Sequence, residues 1–418
     1  MTAANAPEPV QVSAERGRYD LAALKALLGD LVSSSFPSGL SLAVVDGEGA
    51  LFCAYGGKAC GAGTVVPITA STSYDLASLT KVVCSVTLTL VFAERQMLSL
   101  EDPVARWLTG FPRADTTLSN LLTHTSGLVA HRPFFERLQG RRAIGAAVLE
   151  EAASSTPTGE VLYSDLSFMI LGWVLESCGA APLDDLFERE VAAPLGMRRT
   201  RFRPGPDVET AATELDGDQR LTPGLVWGEV HDGNAYALGG VAGHAGLFAP
   251  LDDLVSFTRH LLVPDGRVLT AGMLEAMATR QAGQLPDVRG LGWRLAPQGW
   301  GKWPEDTLWH TGFTGTSLLV SRSLGLGVVL LTNAIHPRRR VEEQAEMRAA
   351  VHRQVSEAFR RARPPSPRIW VRSTPRPCDP SSPSSTSWTC PISSPSWPPS
   401  RREHHGPSWR PLPRSPRS

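Results

Sequence analysis

Lysine is scarce in this chain: of 41 basic side chains only Lys25, Lys58, Lys81 and Lys302 are lysine. A composition that supplies arginine almost everywhere else would have supplied it again if a positive charge were all that was wanted. An ammonium, unlike a guanidinium, gives up its proton when burial or a nearby cation disfavours the charged form. Cysteine is also sparse, and none of the six, Cys53, Cys60, Cys84, Cys178, Cys378 and Cys390, stands in a Cys-x-x-Cys pair. That excludes a disulfide framework and leaves the body cysteines as small buried side chains. No apolar run approaches the length of a membrane span, and the first ten residues hold neither a basic n-region nor an apolar h-region. The expectation is a cytoplasmic protein without a membrane partner. Net charge is absent too, but unevenly: residues 363 to 418 carry nine arginines against Asp379 and Glu403, so residues 1 to 362 hold 32 basic and 39 acidic groups. A mildly acidic body gives no reason to expect nucleic acid.

What is present reads as an α+β protein. Leu21 to Val32 has helical spacing and precedes two strand-like runs, 40 to 45 and 50 to 55, joined by Asp46-Gly-Glu-Gly. Strand signals return at 291 to 295, 317 to 321 and 326 to 332, which suggests one antiparallel sheet closed by distant segments. Between them, 78 to 95, 118 to 122, 143 to 153, 165 to 177, 183 to 191 and 251 to 262 carry apolar residues near period 3.6, and 341 to 359 is a last amphipathic helix. The expected organisation is a flexible N-terminus over 1–19 and one domain over 20–362, its sheet drawn from about 20–75 and 285–362. A disordered tail over 363–418 follows, since 29 of its 56 residues are proline or serine and it has no periodicity. The abrupt change of composition there looks like an arginine-rich, GC-rich gene translated in a shifted frame; reading the DNA settles that.

Ser78-Leu-Thr-Lys81 places a serine and a lysine on one face of a helix start, where an unprotonated amine could take the hydroxyl proton. Tyr163, one of only five tyrosines, sits at a loop-to-helix junction two residues before Asp165, and near an ammonium a phenol can exchange protons with a nucleophile or leaving group. Trp309-His310-Thr311-Gly312-Phe313-Thr314-Gly315-Thr316 stands directly before a strand, its small residues allowing a substrate backbone close approach, with His310 and Thr311 as candidate hydrogen-bonding groups. His124, His231, His244 and Asp232 invite a zinc site but form no His-x-His or His-Glu-x-x-His pair, so neither metal nor cofactor is expected. Residues 239 to 246 lack the Gly-Lys-Ser/Thr ending of a phosphate loop.

Ser78-x-x-Lys81, Tyr163-x-Asp165 and His310-Thr-Gly, in that order, resemble the penicillin-binding-protein and class C β-lactamase family of serine hydrolases, with its esterase members. Segments 121 to 128 and 230 to 248 are similar to it as well, the latter most like a D-alanyl-D-alanine carboxypeptidase-like branch. The resemblance covers about residues 20 to 360 and implies a β-lactamase/transpeptidase-like fold, an antiparallel sheet beside a helical part. It implies an acyl-enzyme on Ser78, proton transfer shared by Lys81 and Tyr163, and an oxyanion held by the backbone N–H groups of Ser78 and Phe313. Asp165, His310, Thr311 and Gly312 would bind the substrate, a small-molecule ester, peptide or β-lactam. Two positions depart from the pattern: Asp165 stands where asparagine is usual and cannot donate when ionised, and His310 stands where many members have lysine. Both turn the expectation from β-lactams toward esters or D-amino-acid-containing peptides and amides. The competing expectations are a β-lactam-binding sensor or weak β-lactamase with slow turnover, and an inactive scaffold serving the basic tail.

Overall fold

The structure, a computed structural model, describes residues 10–17, 19–60, 65–217 and 224–359; the tail expected to be disordered lies outside them. Eleven strands are described: β1 (Gln11–Glu15), β2 (Gly39–Asp46), β3 (Gly49–Cys60), β4 (Val66–Pro67), β5 (Tyr74–Asp75), β6 (Arg201–Phe202), β7 (Leu247–Ala249), β8 (Arg294–Leu295), β9 (Leu308–Thr311), β10 (Ser317–Ser321) and β11 (Leu326–Thr332). The main sheet runs β1-β3-β2-β11-β10-β9-β8, with β4 on β3, and neighbouring strands pair antiparallel. A three-stranded sheet, β5-β7-β6, lies apart from it.

Every residue of β10 and β11 is buried, so these strands carry no polar alternation. They alternate between two cores instead. Leu42, Val44, Leu319 and Leu330 pack with Leu24 and Leu28 of the helix Ala22–Ser33 and with Met347, Val351, Val355 and Phe359 of the helix Val341–Phe359. Ala43, Val45, Leu318, Val329 and Leu331 join the other core with Leu254 and Phe257 of the helix Leu251–Leu262. Period-two side chains sandwiched by helices on both faces account for this, each fully buried Leu, Val or Phe adding about 1.5–3 kcal/mol over its exposed state.

Three expectations need correction. The N-terminal stretch is not flexible throughout, because Gln11–Glu15 pairs with β3 as an edge strand. The 309–316 segment does stand before the expected strand, β10, but His310 and Thr311 are not part of the turn; they end β9, which pairs with β10, so 312–316 is the turn of a hairpin. The helix at 78–95 is not regular: Lys81–Val86 is π-helical before Thr87–Glu94 becomes α. Among the described residues no single helix is long and apolar enough to cross a membrane.

Candidate active site

Ser78 is presented by a strained and heavily clamped turn. Ala77 adopts φ +47°, a left-handed conformation that costs a residue with a Cβ roughly 1–2 kcal/mol. The buried Asp75 carboxylate offsets this by accepting from the Ala77 N–H at 2.8 Å and from the His231 N–H at 2.7 Å. From the opposite side, Thr314 Oγ1 donates to Asp75 O at 2.8 Å and Thr316 Oγ1 to Leu76 O at 3.2 Å. Gly312 packs so closely that a Cβ there would lie 2.5 Å from Leu76 O and 2.1 Å from Thr316 Oγ1. The hairpin turn and the Ser78 turn are thus built as one unit, and among the described residues no backbone carbonyl accepts from the N–H of Ser78 or Phe313.

Lys81 is fully buried, and its Nζ donates to Ser78 Oγ at 2.9 Å, to Asp165 Oδ1 at 2.8 Å and to His244 O at 3.3 Å. Burial, the largest single influence, lowers its pKa, but the Asp165 carboxylate and the Tyr163 oxygen together outweigh it, and the net direction is upward. Asp165 is pulled down in turn: burial opposes, while Lys81, His131 and His244 favour its charge. Its place in the first turn of the helix Asp165–Gly179, capped by Ser164, favours the carboxylate further. As placed, Lys81 is an ammonium and Asp165 a carboxylate, which is the ion pair that opposes use of the amine as a base. The expectation of an unprotonated Lys81 is corrected accordingly.

Tyr163 is half-buried, with Lys81 Nζ 5.0 Å and Arg289 Cζ 5.5 Å from its ring centroid. His310 packs behind it, ring centroids 6.1 Å apart, and is only 2% exposed. Its Nδ1 lies 2.9 Å from Thr311 O, a carbonyl that only accepts, so Nδ1 carries the proton and the buried Nε2 is a bare acceptor. Burial, then the charges of Lys81 and Arg289, drive its pKa well below the usual value. His310 therefore supplies no fixed cation, as its replacement of lysine led one to expect, and with Nδ1 turned to Thr311 O it is an acceptor rather than a donor toward a substrate carboxylate. Thr311 ends β9 half-buried, and Gly312 closes the turn through its N–H to Thr316 O at 2.8 Å.

The histidines weighed as metal ligands are engaged separately. His231 Nε2 pairs with Glu214 at 2.8 Å, His244 Nε2 with Asp232 at 2.9 Å, and His124 Nδ1 accepts from the Ser164 N–H at 3.0 Å. Two residues near the site went unread in the sequence. His131 Nδ1 stands 3.5 Å from Asp165 Oδ2, and Arg289, 2% exposed, is paired with Asp287 at 2.8 Å beside the Tyr163 ring. His131 had a signal, lying just beyond the 121 to 128 segment; Arg289 had none.

The model of the beta-lactamase family matches residues 25–352. The chain belongs to the beta-lactamase family. A protein of Escherichia coli (strain K12) named as a D-alanyl-D-alanine carboxypeptidase is 27% identical over 388 residues, covering 80% of this chain and 88% of its own. Among solved structures, simvastatin synthase (LovD) from Aspergillus terreus superposes with a TM-score of 0.65 at 18% identity, covering 80% of this chain and 97% of its own. EstCE1, described as a hydrolase with promiscuous acyltransferase activity, gives 0.63 at 22% identity, covering 79% and 97%. This beta-lactamase-family hydrolase has the β-lactamase/transpeptidase-like fold.

Proposed function

We propose that the protein hydrolyses esters, or peptides and amides containing a D-amino acid, through an acyl-enzyme on Ser78. The observation that carries this reading is the 2.9 Å contact between Lys81 Nζ and Ser78 Oγ, made at a turn that the Gly312–Thr316 hairpin clamps. Ser78 Oγ attacks the substrate carbonyl carbon, and its proton passes to the Tyr163 oxygen, which acts as general base. Lys81, held as an ammonium by Asp165, stabilises the charge that develops on Oγ. The oxyanion is met by the N–H groups of Ser78 and Phe313, each such donor contributing about 2.7–4 kcal/mol in the transition state. Tyr163 returns the proton to the leaving oxygen or nitrogen, the C–O or C–N bond breaks, and water then releases the acyl group by the same steps. A neutral, acceptor-only His310 and an ionised Asp165 favour substrates that do not rely on a fixed cation or on an amide donor at these positions.

The test is hydrolysis of a chromogenic short-chain ester by the wild type and by Ser78→Ala, with mass spectrometry for an acyl group on Ser78. Equal rates would remove the nucleophile assignment. A fluorescent β-lactam retained on Ser78 without release would favour the slow-turnover sensor.

A further inference from the structure

The last helix, Val341–Phe359, touches the turn that carries Phe313 with two side chains. Gln344 Nε2 donates to Phe313 O at 2.8 Å, while Arg348 donates Nε to Gly315 O at 3.1 Å and Nη2 to Gly312 O. Arg348 is 9% exposed, and among the described residues no carboxylate forms a salt bridge with it. Burial lowers its pKa to about 10, which leaves it a cation at neutral pH. Burying an unpaired charge is unfavourable unless hydrogen bonds compensate, so the carbonyls of this turn are what hold it.

The two carbonyls that the helix grips nearest Phe313 are not equivalent. Gly312 C=O and Phe313 N–H are the two ends of one planar peptide group. A cation on that oxygen draws electron density through the amide and makes the N–H a stronger donor. Phe313 C=O belongs to the next peptide, whose N–H is that of Thr314, so Gln344 steadies the same turn without reaching the Phe313 donor.

We propose that Arg348 is a positioning residue for acyl transfer, acting through the Gly312–Phe313 peptide to fix and strengthen the Phe313 N–H that meets the oxyanion. The inference rests on the proposed function, in particular on Phe313 as an oxyanion donor. Polarisation strengthens a hydrogen bond by about 10–30%, and loss of a whole oxyanion donor slows kcat about 10²–10³-fold, so loss of Arg348 slows acylation and deacylation, which share the donor, about two- to eightfold each.

The experiment is infrared difference spectroscopy of the acyl group that an ester with a ¹³C-labelled carbonyl leaves on the full chain, with kcat and KM measured alongside. In Arg348→Met the acyl carbonyl stretch moves to higher frequency and kcat falls by the stated factor at unchanged KM. Arg348→Lys, which keeps a charge and a donor, lies between and serves where the methionine variant unfolds. Gln344→Leu leaves the frequency where it is. An unmoved frequency in both Arg348 variants, or an equal shift in Gln344→Leu, overturns the inference and reduces Arg348 to a clamp on the turn. A wild type with no acyl group on Ser78 overturns the reading beneath it, and the inference with it.

Discussion

The two sides of the site are built on different physics. On the helix side, Lys81, Asp165, His131, Asp232 and His244 form a chain of charged or chargeable side chains whose states depend on one another. On the strand side, the Gly312–Thr316 turn presents backbone groups, fixed by Thr314 and Thr316 below and by Gln344 and Arg348 behind. One side is set by charge and answers to pH. The other is set by contact and answers to volume.

Four substitutions sharpen or break that contrast, and the first removes the point where the sides meet. Ser78→Ala is expected to lower ester kcat at least about 10³-fold with the fold retained, read by steady-state kinetics beside circular dichroism. Next, Gly312→Ala on the strand side forces backbone to move away from Leu76 O. A displacement of about 1 Å costs about 10²-fold, and the loss should be the same at every pH. A loss concentrated at one end of the pH profile would contradict the division.

Asp165→Asn should do the reverse, acting through pH. Without the carboxylate, burial dominates and the Lys81 pKa falls by about 1–3 units, which NMR of the lysine side chain reads directly. Stability follows by linkage. The Asp165 pKa is depressed below its ordinary 3.8, so its contribution is present above that value and is lost as the pH falls through the folded value. The Lys81 pKa is raised above 10.5, so its contribution is present below 10.5 and is lost as the pH rises through the folded value. Urea midpoints of Asp165→Asn should show both limbs flattened, and wild-type curvature at both ends would refute the pairing. The smallest effect belongs to His131→Ala. Its ring is 38% exposed, so solvent weakens its hold on Asp165, and ester kcat should change no more than about two- to threefold.

Much of this was legible in the sequence where the period was long enough to read. The runs 118 to 122, 251 to 262, 317 to 321, 326 to 332 and 341 to 359 have the boundaries that periodicity assigned them. The strands of the small sheet escaped because two or three residues carry no period. β9 escaped for a different reason: Leu308, Trp309 and His310 are all buried, so no alternation marked a strand. The π-helical start at Lys81–Val86 is buried at every position and shows no face from which its turn could be counted. In the site, Ser78, Lys81, Tyr163 and the 310 to 316 segment announced themselves as motifs. Arg289 and Arg348 did not, because their relevance comes from chain segments that only the tertiary fold brings beside Tyr163 and Gly312.

The pairing of β2 with β11 sets the order in which this molecule can come into being. The centre of the main sheet joins segments from opposite ends of the domain, and the Gly39 N–H is held by the side chain of Asn333, 294 positions away. During synthesis β2 and β3 emerge early and must wait, with one edge of β2 unpaired, until almost the whole domain has been made. Closing so long a loop is slow, and a waiting edge is an aggregation hazard. The Ser78 turn, which depends on Thr314 and Thr316 from the late segment, can be completed only after that closure, so activity should be the last property the nascent chain acquires.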